Sequence, residues 1–381
     1  MAHFFVEYDS LVGLLSHATS VTSDSALKDS DKTVVFMIHE DGDSIIAAKN
    51  SDLMVRVAFT PEKVEKAGNI QINSSELAKI LGTYTSLSRT KVDSVEFREN
   101  ETRVQVIVHE SDLDEEQDLF GGVTSYSLDN IKIKDRLLED LKLKFEEESA
   151  ESVNVTELDM VLSTLIPVMD SKKGVNNNFI HFADDVIFVM DTRCQVFYKN
   201  ILPEVLHNVS LRYTSVSYMK KMSETSNHLL MVLQGNKFAV RSEDGSIEAF
   251  INYIPVRFNY KPTYEGITKA NGVILDRKFL KDLLRRLSTM GADATFTIKE
   301  DGVHIRTNDF SRVMPINNAK GDIMGSEFKM KTSLLSYMIV GDDSIMSSNL
   351  FLYLEKATRG VGYQLSISDD SGAFISTTRT S

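Results

Sequence analysis

Apolar and polar positions follow one order six times along the chain. A short alternating segment leads into a stretch with apolar residues three and four apart. Three further alternating segments follow. Alternation of period two predicts strands with one buried face, and the 3.6-residue period predicts an amphipathic helix. The first unit comprises Phe4–Tyr8, a helix from Asp9 to about Ser20, then Val34–Glu40, Ser44–Asn50 and Met54–Phe59. The second comprises Asn69–Asn73, a helix from Ser74, then Val95–Glu99, Arg103–His109 and Thr124–Leu128. The third has Ser152–Val155, a helix from Thr156, then Asn177–Ala183, Asp185–Asp191 and Cys194–Asn200. The fourth has Ser210–Tyr213, a helix from Thr214, then His228–Gln234, Lys237–Glu243 and Ser246–Asn252. The fifth has Gly272–Leu275, a helix from Asp276, then Ala294–Glu300, Gly302–Asn308 and Arg312–Asn317. The sixth has Glu327–Lys331, a helix from Thr332, then Asn349–Glu355, Val361–Ile367 and Gly372–Thr378.

The helix starts share a chemistry. Asp9, Ser74, Thr156, Thr214, Asp276 and Thr332 can each accept a hydrogen bond from the free amides of a first helical turn. Successive starts lie about sixty residues apart, with a wider gap of about eighty between Ser74 and Thr156. That gap holds an extra charged stretch, Asn130 to Ser149, expected to be the first linker. The second linker is expected around Ile254-Pro255 and Lys261-Pro262. Turn residues mark the hairpin tips, as in Gly235-Asn236, Asp244-Gly245 and Asp301-Gly302. One unit buries too little to stand alone, whereas two packed together give two sheets and a helix pair. Six units therefore predict three similar α+β domains, with boundaries at 1–150, 151–262 and 263–381.

The length of 381 residues fits such a division. No apolar run approaches a membrane span, and the amino terminus carries no basic, apolar leader. Cys194 is the only cysteine, which excludes an internal disulfide and fits an intracellular, reducing setting. The net charge of −13 predicts weak non-specific adhesion to nucleic acid. It leaves room for a single basic surface on an otherwise acidic protein.

Three short segments resemble the bacterial β-type DNA sliding clamps, polymerase processivity factors. Gly68 to Leu77 is similar to the strand entering the second helix of their first domain. Asn178–Phe182 with Val189–Arg193 is similar to their domain-two hairpin, and Phe250–Pro255 with Tyr260 and Pro262 to the segment around a Phe-Pro pair. The resemblance implies a head-to-tail homodimer ring with helices inside and antiparallel sheets outside. Such a ring encircles duplex DNA without reading its sequence and tethers a DNA polymerase, with a clamp loader as a further partner. It implies no enzyme activity, cofactor or metal, and a bacterial or phage-infected cytoplasm. Carried over by position, its partner-peptide pocket comprises Thr192, Arg193, Val196, Pro255, Tyr260 and Ile375, for which ordinary interdomain packing is the alternative. The family's Met-Pro-rich apolar tail is replaced here by Ile375–Ser381, so its peptide preference is not carried over. A divergent member, such as one from a phage, fits that difference.

The strongest basic signal is the helix from Asp276. Phe279, Leu280, Leu283, Leu284 and Leu287 form an apolar stripe, and Arg277, Lys281 and Arg285 stand four apart, with Lys278 and Arg286 beside them. In the clamp reading these meet phosphates; otherwise they are a solvated face. Lys79, Arg89, Lys91, Lys172, Lys173, Lys220 and Lys221 are further DNA-binding candidates. The first helix has no Lys or Arg, so the lining is unevenly basic. No P-loop, nucleophile elbow or zincin motif occurs. The His39 to Asp43 run reads as a solvated turn, Cys194 as core, and the Asp112 to Asp118 run as an acidic loop. A clamp-fold adaptor or scaffold that never closes on DNA is the alternative function.

Overall fold

A computed structural model describes the chain except residues 23–28, 42, 86–89, 113–121, 134, 170–177, 191–193, 268, 289–292, 340–347, 357–361, 371–373 and 381. The expected Arg89, Lys172, Lys173, Thr192 and Arg193, and most of the acidic run after Asp112, lie outside the described residues.

The six repeats are present, in the expected order. Repeat one is β1 (His3–Glu7), α1 (Tyr8–Thr19), β2 (Thr33–Ile38), β3 (Ser44–Lys49) and β4 (Leu53–Phe59), followed by a short β5 (Lys63–Lys66). Repeat two is β6 (Gly68–Asn73), α2 (Ser74–Gly82), β7 (Thr90–Glu99), β8 (Arg103–Asp112) and β9 (Gly122–Asp129), with α3 (Asp135–Leu141) behind it. Repeat three is β10 (Glu151–Asn154), α4 (Val155–Leu165), β11 (Phe179–Phe182), β12 (Val186–Met190) and β13 (Cys194–Lys199). Repeat four is β14 (Val209–Arg212), α5 (Tyr213–Ser223), β15 (His228–Gln234), β16 (Lys237–Ser242) and β17 (Ile247–Asn252), then β18 (Ile254–Pro255) and α6 (Lys261–Glu265). Repeat five is β19 (Gly272–Asp276), α7 (Arg277–Ser288), β20 (Asp293–Lys299), β21 (Gly302–Arg306) and β22 (Ser311–Met314), with β23 (Ile316–Lys320) added. Repeat six is β24 (Glu327–Lys331), α8 (Thr332–Met338), β25 (Asn349–Lys356), β26 (Tyr363–Asp369) and β27 (Phe374–Arg379).

Each repeat gives its first strand away. β1 pairs with β7 of repeat two, while β6 pairs with β2 of repeat one. β10 and β14 cross in the same manner to β15 and β11, and β19 and β24 to β25 and β20. Consecutive repeats therefore complete each other's sheets. The last strands then join repeats that are not consecutive. β4 pairs antiparallel with β17, placing Val57 opposite Ile247 and Leu53 opposite Ile251. β13 pairs with β27, placing Cys194 opposite Thr378 and Tyr198 opposite Phe374.

The chain forms two compact units, residues 1–154 with 221–252, and residues 155–220 with 253–381. Unit one holds a five-stranded sheet, β5-β1-β7-β8-β9, and an eight-stranded sheet, β10-β15-β16-β17-β4-β3-β2-β6. Unit two holds a ten-stranded sheet, β18-β14-β11-β12-β13-β27-β26-β25-β19-β23, and a four-stranded sheet, β22-β21-β20-β24.

The charged stretch 130–149 is more than a linker. It crosses one face of the eight-stranded sheet, where Leu137 and Leu141 join Val35, Ala47 and Met54 on one side of the β4–β17 seam and Val232, Ala239 and Phe250 on the other. Gln234 fixes the strap at both of its amide atoms: its Nε2 donates to the Lys144 carbonyl at 2.8 Å, and its Oε1 accepts from the Glu146 amide at 3.1 Å. The second connector does the same on the ten-stranded sheet, where Val256, Tyr260, Tyr264 and Ile267 pack on Phe188, Phe197 and Ile375. Both faces of the strands beneath are thereby buried, which explains runs such as Val34-Val35-Phe36-Met37-Ile38, apolar at consecutive positions.

Helix caps depart from expectation in detail. Asn73, not Ser74, caps α2, its Oδ1 accepting from the amides of Ser75 at 2.9 Å and Glu76 at 3.1 Å. Ser74 instead donates to the Lys32 carbonyl at 2.9 Å. Asp9 lies inside α1 in its first turn. Asp276 does cap α7, accepting from the Phe279 amide at 2.6 Å. Gly235 and Gly245 turn their hairpins at φ +56° and +74°, where a side chain would be strained.

Candidate functional site

Helix α7 separates its faces sharply. Leu280, Leu283, Leu284 and Leu287 are buried, while Lys278, Arg285 and Arg286 are exposed and Lys281 is half-buried. Arg285 reaches to 3.6 Å from Asp282 and keeps most of its side chain in solvent. Arg277 corrects the sequence reading, because it is only 2% exposed. It falls three, seven and ten residues before Leu280, Leu284 and Leu287, on the buried stripe. Grouping it with Lys281 and Arg285 overlooked that alignment.

Two other candidates are also turned toward protein. Lys220 donates to Ser163 Oγ at 2.7 Å and lies 3.8 Å from Asp159, both on α4. The Lys221 ammonium donates to the Ser16 carbonyl on α1, and partial burial holds its pKa below the usual lysine value. Lys79 is exposed on α2, and Lys91 is exposed on β7 at 3.9 Å from Asp93. The exposed basic charge of the helices is thus concentrated on α7, with Lys79 as an outlier among the candidates.

A cavity of about 660 Å³ opens at one end of the β13–β27 seam. Cys194 and Gln195 come from β13, Thr377, Thr378 and Arg379 from β27, and Pro262 and Thr263 from α6. Gln364 lines it from β26, its Nε2 donating to Thr377 Oγ1 at 3.2 Å. Gln195 Oε1 is buried there without a hydrogen-bond partner. None of the four described residues expected in the partner pocket is among the lining of this cavity. Val196 has no exposed surface, and Ile375 is packed in the apolar cluster beneath the second strap. Tyr260 belongs to that cluster and donates its hydroxyl to Asp185; burial, reinforced by the carboxylate, pushes its pKa up. Pro255 is exposed on β18, opposite Val209. The polar lining from Gln195, Gln364, Thr377 and Arg379 escaped the sequence reading, since only strand register brings these positions together.

Glu96 is buried on the five-stranded sheet and bonded by His3 at 2.7 Å, Arg98 at 2.5 Å and His109 at 3.2 Å. Burial raises its pKa, but the three donors outweigh it and hold the carboxyl below the usual range. A carboxylate so fully satisfied is a structural ion cluster. Among the described residues, no group of three His, Cys, Asp or Glu could hold a metal ion. Among them too, no helix is long and apolar enough to cross a membrane.

No protein-family model and no curated protein matches the chain. Solved structures match it over its whole length. The beta sliding clamp of C. crescentus covers 100% of this chain and 99% of its own, with a TM-score of 0.77 at 12% identity. A DNA polymerase III beta-subunit sliding clamp from Bartonella birtlesii, bound to griselimycin, gives 0.77 at 14% over the same shares. The DNA polymerase III beta chain of Streptococcus pneumoniae gives 0.75 at 10%, covering 100% of each chain. The chain has the sliding-clamp fold, an α+β architecture of antiparallel sheets and short helices.

Proposed function

We propose that this chain is a DNA sliding clamp subunit, a non-enzymatic processivity factor of three two-repeat domains. The domains are residues 1–150, 151–262 and 263–381, each a pair of repeats that exchange first strands. Two copies join head to tail into a ring around duplex DNA, in a bacterial or phage-infected cytoplasm.

One observation carries this reading. Last strands join repeat one to repeat four and repeat three to repeat six. Repeats two and five are left over, and their last strands, β9 and β22, are sheet edges among the described residues. Each edge displays an exposed valine, Val123 at 66% and Val313 at 40%. Open edges bearing apolar side chains invite pairing with another chain. The rule that built the two internal seams, applied once more, pairs β9 of one copy with β22 of a second, and two such joints close a twofold ring.

The charge pattern suits retention by topology. A protein of net charge −13 with its exposed helical basic residues mainly on α7 makes few phosphate contacts. The polymerase and the clamp loader engage through the seam cavity at β13–β27. The C. crescentus and Bartonella clamps were solved with ligands bound, which supports a small-ligand or peptide site in this fold.

The burial of Arg277, and the engagement of the half-exposed Lys220 and Lys221 by protein oxygens, favour a second reading, an adaptor of clamp fold that does not close on DNA. Light scattering across a concentration series separates the two. The clamp reading gives a mass of twice 42.8 kDa, whereas a persistent monomer leaves the adaptor.

A further inference from the structure

Unit one contains a cavity that the seam pairing and the basic helix leave unused. Its volume is about 750 Å³. It lies where Val57 of β4 meets Ile247 of β17. By repeat correspondence, the cavity in unit two sits at the other end of its seam, where β13 begins and β27 ends. The two are therefore distinct sites, not copies of one.

The floor is apolar, formed by Val57, Phe59 and Ile247 with Leu14 from α1. Gly13 forms part of the wall, and a Cβ added there would meet nothing within 4 Å. Packing does not demand a glycine at this position, and glycine inside a helix weakens it. Its effect here is to leave the helix surface bare beside the groove. At the rim stand the exposed side chains of Glu7 and Glu62. No lysine or arginine lines the cavity. Lys221 stands behind the wall at the His17 end, its ammonium donating to the carbonyl of Ser16, and the two glutamates stand at the cavity's Glu7 end.

An apolar floor beside two carboxylates complements a side chain of one kind flanked by a charge of the other. We propose that this groove binds a short basic–apolar segment of a partner protein. One large aliphatic side chain enters between Leu14 and Phe59, and a neighbouring lysine or arginine meets Glu7 and Glu62. The proposal does not depend on ring closure.

The test uses the full chain and two labelled hexapeptides, one with a central leucine flanked by lysines, the other with glutamates replacing the lysines. Fluorescence anisotropy is read at low and at physiological ionic strength. The lysine peptide is expected to bind roughly tenfold or more tightly than its counterpart. Gly13→Leu fills the groove while improving the helix, so it should abolish binding without lowering the melting temperature. Glu7→Gln with Glu62→Gln, both at exposed positions, should weaken binding and flatten its salt dependence. If Gly13→Leu lowers the melting temperature, the double glutamine variant decides alone. Equal binding of the two peptides, binding of neither, or lysine-peptide binding unchanged in the glutamine variant overturns the proposal.

Discussion

The Arg56 guanidinium bridges the β4–β17 seam to the Glu248 carboxylate, and its Nη1 also donates to the Leu141 carbonyl of the strap at 2.8 Å. One side chain thus ties together two repeats and the connector laid over them. It also stacks on the Phe250 ring, 4.6 Å from its centroid. The seam is consequently a continuation of the sheet, sealed from one face by the chain's own linker.

Removing that tie should loosen unit one. Arg56→Ala leaves Glu248 without its partner and the Leu141 carbonyl without its donor. The expected loss is on the order of 3 kcal/mol. Leu141→Ala, at 3% exposure, should cost roughly 2–4 kcal/mol by opening a cavity under the strap. Urea denaturation checks both, and losses below about 0.5 kcal/mol would mean that the strap is not part of the folded core.

Stability should also fall in mild acid. His181 is buried against Phe188, shares a 2.8 Å hydrogen bond with Ser210, and has its pKa pushed down to about 4 by burial. An unfolded histidine titrates near ~6.5. The folded state therefore holds fewer protons between these values, so stability is complete above the upper one and declines as pH falls toward the lower. The slope approaches about 1.4 kcal/mol per pH unit. His181→Gln cannot titrate and should flatten the melting temperature between pH 4 and 6.5 relative to the parent protein. Parallel profiles for the two proteins would rule out His181 as the source.

The exposed edges predict a defined oligomer. Val123→Lys or Val313→Lys should dissociate the proposed dimer without changing the fold, because both side chains are in solvent in the single chain. Sedimentation velocity at several concentrations reads this directly. A dimer insensitive to both substitutions would place the joint elsewhere.

In the clamp reading, the basic helix separates stability from DNA contact. Lys281→Glu, Arg285→Glu and Arg286→Glu together should slow loading on DNA and leave thermal stability nearly unchanged. Arg277→Ala should do the reverse, since Arg277 is buried. A loading defect from Arg277→Ala with unchanged stability would contradict its assignment to the core.

The sequence made the repeats legible because alternation and helical periodicity are local properties. Strand exchange was not legible: β1 and β6 read alike whether they pair within or between repeats. The straps had a visible signal, in the contrast between the consecutive apolar residues of β2 and the alternating, largely exposed β9. The charge of the 130–149 stretch masked Leu137, Leu141 and Phe145, which face the sheet. Arg277 shows the same limit at one residue, where a shift of one helical position separates the exposed Lys278 from the core. The cavity at β13–β27 depends on strand register between residues far apart in the chain, which no local pattern encodes.

Retention on DNA tests the central claim most directly. A ring closed around a nicked circle is held by topology, so salt that strips an electrostatic binder should leave it in place. Linearising the circle should then release it by sliding from the end. The account predicts protein retained on circles after the wash and lost from the same DNA once cut. Equal retention on circular and linear DNA, or equal loss from both, would contradict the ring.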